Sequence, residues 1–65
     1  MGRGLYVDLV KILLKYNCKM VRQGKGSHEI WFSPSSNKNV SVPVSIVSKL
    51  TANGILKLAG IKDRI

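Results

Sequence analysis

Two turn segments break the centre of this 65-residue chain and so limit what it can fold into. Gly24-Lys25-Gly26 and residues 34–38, rich in Ser and Asn, separate three stretches that read as β-strands. The glycines of the first turn supply positive φ for a hairpin. Residues 27–33 carry the clearest period-two signal: His28, Ile30 and Phe32 share one face, and Ser27, Glu29, Trp31 and Ser33 the other. Residues 39–44 set Val40, Val42 and Val44 against Ser41 and Pro43. Pro43 has no amide donor and marks an edge or a strand end. Residues 18–23 alternate more weakly, with Cys18, Met20 and Arg22 against Lys19, Val21 and Gln23. Strands joined by turns this short pair antiparallel.

Helical patterns flank the strands. Over residues 6–16, Leu9, Val10, Leu13 and Leu14 recur at three- and four-residue steps, extended by Tyr6, while Asp8, Lys11 and Lys15 fall opposite. Asn17 tolerates the left-handed conformation and is the expected stop. A second helix is expected from Thr51, a good N-cap, with Leu50 and Ile55 at hydrophobic-staple spacing. Gly60 sits where a C-terminal cap belongs, and residues 62–65 read as a charged, frayed tail. The order is α-β-β-β-α, an α+β domain with a three-stranded antiparallel sheet and both helices on one of its faces. The other face, with Trp31 and Ser41, is expected to stay open for a partner.

Residues 1–65 make one domain. A body this small buries only about 60% of its unfolded surface, so a partner subunit would add to its stability. Its charge is lopsided: eleven Lys and Arg against three acids, a formal net charge of +8. A polyanion is the default partner for such a surface. Lys11, Lys15, Lys19, Lys49 and Lys57 are the candidate phosphate contacts. Asp8, Glu29 and Asp63, scattered over three elements, cannot gather around the ions of a metal-dependent nuclease. One cysteine and one histidine cannot fill a zinc site either. No metal and no other cofactor is expected. The lone Cys18 is read as a small core residue and fits a reducing, cytoplasmic setting. Apolar runs stop at three residues, as at Ile12-Leu13-Leu14, and the start of the chain has Arg3 without an apolar stretch behind it. Neither a membrane span nor a signal peptide is expected.

Against that background the single histidine stands out. His28 follows the Gly24–Ser27 segment directly, and it is the one side chain here that could move a proton at neutral pH. Arg22 and Lys25 are its nearest cations in sequence, and Gly24 and Gly26 leave backbone N–H groups for a phosphate. The plainer reading makes His28 a rim residue and Gly24-Lys25-Gly26 only a turn.

The string Val21-Arg22-Gln23-Gly24-Lys25-Gly26-Ser27-His28-Glu29-Ile30-Trp31 resembles the signature of the HicA family of toxins. Val40-Ser41-Val42-Pro43 is similar to that family's third strand, and the run from Thr51 to Ile61, ending Leu58-Ala59-Gly60-Ile61, to its closing helix. The likeness covers about residues 6–62. The element order is that of the double-stranded-RNA-binding domain in trimmed form. This resemblance implies a toxin of a type II toxin–antitoxin system: a ribosome-independent mRNA interferase, neutralised by a HicB-type antitoxin. It places the family's catalytic histidine at His28. Two features depart from the family: Glu29 stands where many relatives have a second histidine, and the hairpin is one glycine longer than the commonest form. Glu29 would put a negative charge beside the RNA site.

His28 as general base on the RNA 2′-hydroxyl, with Lys25, Arg22, Gly26 and Ser27 supporting the phosphate, is the expected chemistry of such an endoribonuclease. His28 and Trp31 are the expected antitoxin contacts; base stacking by Trp31 and packing beneath the first helix are equal alternatives. Two other readings remain, a non-catalytic RNA-binding module of the same fold and a protein-interaction domain.

Overall fold

The computed structural model describes residues 4–65, so Arg3 lies outside the described residues. The chain runs α1 (Leu5–Lys15), β1 (Lys19–Gln23), β2 (His28–Ser33), β3 (Lys38–Pro43), α2 (Lys49–Leu58). The strands form one antiparallel sheet in the order β1-β2-β3, and the fold is the α+β arrangement expected. Among the described residues, no helix is long and apolar enough to cross a membrane.

Each helix ends where its sequence says it should. Asn17 adopts φ 66°, its N–H bonds to the Leu14 carbonyl (3.0 Å), and that of Cys18 to Leu13 (2.9 Å). Gly60 adopts φ 75°, with Gly60 N–H on Lys57 (3.0 Å) and Ile61 N–H on Leu56 (2.9 Å). These are two Schellman caps, and in both the residue after the left-handed one, Cys18 or Ile61, is buried in the core. The start of α2 differs from expectation. Ser48, not Thr51, is the N-cap: its Oγ accepts from Thr51 N–H at 3.3 Å. Helix therefore begins three residues earlier than Thr51 would allow, and Leu50 turns outward, 84% exposed, with no staple to Ile55. On α1 the buried stripe is Leu9 and Leu13, with Tyr6, Val10 and Tyr16 beside it. Leu14 is exposed, because one residue along a helix rotates the side chain about 100° off the stripe. The tail is tied down as well: Ile65 N–H donates to Asn53 Oδ1 at 2.8 Å, and Lys15 pairs with Asp63 at 2.9 Å.

Register decides what each sheet face carries. Trp31 lies opposite Met20 and Val40, and Glu29 opposite Gln23 and Val42. Both helices cover this face: the Tyr6 hydroxyl of α1 reaches Glu29, and Ser33 Oγ donates to the Ala59 carbonyl at the end of α2 (2.6 Å). Leu9, Leu13, Trp31, Val40, Val42, Ile46, Ala52 and Leu56 fill the space between. Trp31 is thus only 5% exposed, beneath the helices. Its expected place on the open face is corrected, and so buried an indole offers an antitoxin almost no surface.

The opposite face is uncovered. Across it run three rows: Lys19–Phe32–Asn39, Arg22–Ile30–Ser41, and His28–Pro43. Lys19 and Arg22, an odd number of residues apart, would normally point to opposite sides. A bulge between Met20 and Arg22 admits Val21 as an extra residue and brings both cations to the same face.

Candidate functional site

His28 opens β2 and is exposed on the uncovered face. Two hydrogen bonds hold its backbone and a third holds the residue before it. Gly24 N–H donates to the His28 carbonyl at 2.8 Å, His28 N–H donates to the Lys25 carbonyl at 3.1 Å, and Val44 N–H donates to the neighbouring Ser27 carbonyl at 2.8 Å. The imidazole is therefore carried on a fixed stem while its ring meets solvent.

The glycines of the turn have different tasks. Gly26 sits at φ 57°, and a Cβ there would meet nothing within 4 Å, so conformation alone demands glycine and the space above stays open. At Gly24 a Cβ would stand 3.2 Å from the His28 carbonyl oxygen and 3.4 Å from Ile30 Cδ1, so the demand is close approach. The expectation that Gly24 leaves its N–H for a phosphate is corrected, because that N–H closes the hairpin.

Electrostatics favour an anion here. Arg22 occupies the row beside His28, Lys25 the turn, and Lys19 the far row. None of the three acids shares this face. Asp8 is on α1 and Asp63 is engaged by Lys15, an ion pair that holds the Asp63 carboxyl below its usual range and the Lys15 ammonium above its own. Glu29 follows His28 in sequence, yet strand alternation points it to the covered side. There its Oε1 accepts from Tyr6 Oη (2.7 Å) and Trp31 Nε1 (3.1 Å). The expected negative charge beside the site is thus turned away from it.

The open face and its turn gather His28, Arg22, Lys25, Gly26, Ser27 and Lys19. The other cations do not join them: Lys11 and Lys15 lie on α1, and Lys49 and Lys57 on α2, in the layer behind the sheet. Lys15 is occupied by Asp63 and sits 5.6 Å from the Tyr16 ring. A shallow groove of about 380 Å³, lined by Leu50, Gly54, Lys57, Ile61 and Arg64 among others, also lies on α2 and the tail, away from His28. Among the described residues, no three His, Cys, Asp or Glu side chains come together.

Ile30 and Phe32, which the alternation of β2 already set on the face of His28, and Asn39 beside them were not expected at the site, yet all three share its open face. A signal for them existed. The tight turn at residues 34–37 pairs Ser33 with Lys38 and so Trp31 with Val40. The Val40–Val42 face is the apolar one, so the Trp31 set had to follow it inward and the Phe32 set outward.

Residues 6–61 match the family model described as the HicA toxin of bacterial toxin–antitoxin. No curated protein and no solved structure matches the chain.

Proposed function

The chain belongs to the HicA toxin family, so it is a toxin with a cognate antitoxin, and from that premise we propose that it is a metal-independent endoribonuclease acting on mRNA. The observation that carries this reading is the position of His28: exposed, backbone-anchored, beside Arg22 and the Lys25 turn, on a face without a carboxylate.

Neutral His28 removes the proton of a 2′-hydroxyl, whose oxygen attacks the adjacent phosphorus. The P–O5′ bond breaks, leaving a 2′,3′-cyclic phosphate and a 5′-hydroxyl. Arg22 and Lys25 offset the charge that builds on the non-bridging oxygens. Gly26, by its open left-handed turn, lets the strand approach closely, and Ser27 supplies a hydroxyl at its edge. The leaving O5′ takes its proton from the Lys25 ammonium or from water, since there is no second histidine. General base catalysis of this kind contributes about 10²–10⁴-fold.

The antitoxin in this proposal is of HicB type, presents acidic groups, and covers His28 in the cytoplasm. Wild-type and His28→Ala protein incubated with a defined mRNA in EDTA test the reading. Fragments from wild type alone support it, together with loss of cutting when the cleaved nucleotide is 2′-deoxy. RNA binding by both proteins with cutting by neither sinks it in favour of a binding module.

A further inference from the structure

We propose that the uncovered sheet face is a track for single-stranded RNA, on which Phe32 stacks a base at a distance from the cleaved bond and Lys19 holds the adjoining phosphate. Phe32 and His28 lie on the same strand and the same face, four residues apart. At the rise of a β-strand that is about 13 Å, beyond the reach of the cleaved nucleotide's own base. Phe32 therefore meets a base further along the strand.

Three observations converge on this occupant. Phe32 is half-buried but is not packed into the core; it is the aromatic residue of this face, flanked by Lys19 on β1 and Asn39 on β3. The bulge at Val21 puts Lys19 and Arg22 on one side, giving a cation in each of two successive rows beside the Phe32–Ile30–His28 line. All three acids are elsewhere, so nothing on the face repels a phosphate backbone. Aromatic platforms edged by cations and amides suit splayed, single-stranded bases, whereas paired RNA hides its bases from such a surface. Asn39 supplies both a donor and an acceptor to the edge of the stacked base.

The proposal takes its substrate class from the ribonuclease reading, but its test does not depend on cleavage. The full chain carrying His28→Ala is titrated with a fluorescein-labelled single-stranded RNA and followed by anisotropy, with thermal melts as the check on folding. Adding Phe32→Ala weakens binding by roughly tenfold, and Phe32→Trp retains it. Lys19→Ala flattens the salt dependence by about one unit of slope. An abasic nucleotide placed in turn along the RNA finds one position where it weakens the parent protein yet has no effect on the Phe32→Ala protein. Unchanged RNA affinity in a folded Phe32→Ala protein overturns the proposal. If that protein instead loses its antitoxin, the face is a protein-docking surface. Failure of wild type to cut RNA overturns the nuclease reading and leaves the stacking result standing on its own.

Discussion

The Tyr6 hydroxyl donates a 2.7 Å hydrogen bond to Glu29 Oε1, across 23 residues of sequence, and this bond fastens α1 to the strand whose first residue is His28. Trp31 Nε1 shares the same carboxylate oxygen. A residue that sequence alone would set beside His28 is in fact the anchor on the back of the sheet. Glu29→Ala strands two partly buried donors and is expected to lower stability by about 1.5–3 kcal/mol, read by urea denaturation. Glu29→Gln keeps an acceptor and loses less. A Glu29→Gln protein that loses as much as Glu29→Ala would show that charge, rather than the hydrogen bonds, anchors the helix.

Alkaline pH probes the same contact. The hydrogen bond to Glu29, then burial, then the carboxylate charge raise the Tyr6 phenol above its ordinary value of 10.0. The folded state thus holds this proton more tightly than the unfolded one. Its contribution is complete below pH 10 and is lost as pH rises through the raised folded value. The melting temperature of wild type should therefore fall more steeply above pH 10 than that of Tyr6→Phe. Parallel curves would refute the linkage.

Ser33 is fully buried and donates to the Ala59 carbonyl at 2.6 Å, where α2 ends over β2. Helix-end carbonyls have no partner within the helix. Ser33→Ala leaves this one buried and unsatisfied, and should lower stability by about 1–3 kcal/mol in chemical denaturation. Wild-type stability in that variant would mean the carbonyl finds another donor.

Two glycines of one segment should respond to alanine with opposite signs. Gly54 is an exposed helical residue with open space at its Cβ position, so Gly54→Ala should raise stability by about 0.5–1 kcal/mol. Gly60 has φ 75°, and a Cβ would stand 3.2 Å from Ser36 Cβ. Gly60→Ala should therefore lower stability by about 1–2 kcal/mol through the left-handed backbone alone, with crowding added. Thermal melts of the two variants decide it; a stable Gly60→Ala protein would mean the cap rearranges.

The split of cations between the two layers makes a functional prediction. Arg22→Ala, on the face of His28, should reduce cleavage at least tenfold, on the scale of about 1.5–3 kcal/mol for one charged hydrogen bond. Lys11→Ala, Lys49→Ala and Lys57→Ala, behind the sheet, should leave the rate near wild type. Initial rates on one RNA at fixed salt compare them. Equal losses across the four would place RNA around the helices as well.

By itself the sequence determined the local conformations, because those follow from short-range physics: period two in β2 and β3, the helical stripe through Leu9 and Leu13, and left-handed stops at Asn17 and Gly60. It also placed His28, Ile30 and Phe32 on a common face. It was less able to start a helix, since Ser48 and Thr51 are both good caps and only the packing of α2 selects between them. Which side of the sheet the helices cover was not legible in β2 alone, because a strand's alternation names two faces; its register with β3, fixed in the tertiary structure, carries the choice. Pairing of Trp31 with Val40, and the carboxylate of Glu29 bridging Tyr6 and Trp31, settle that choice. The union of Lys19 and Arg22 on the open face is likewise a tertiary result. One extra residue in β1 reverses the alternation, and a bulge forms only against a partner strand.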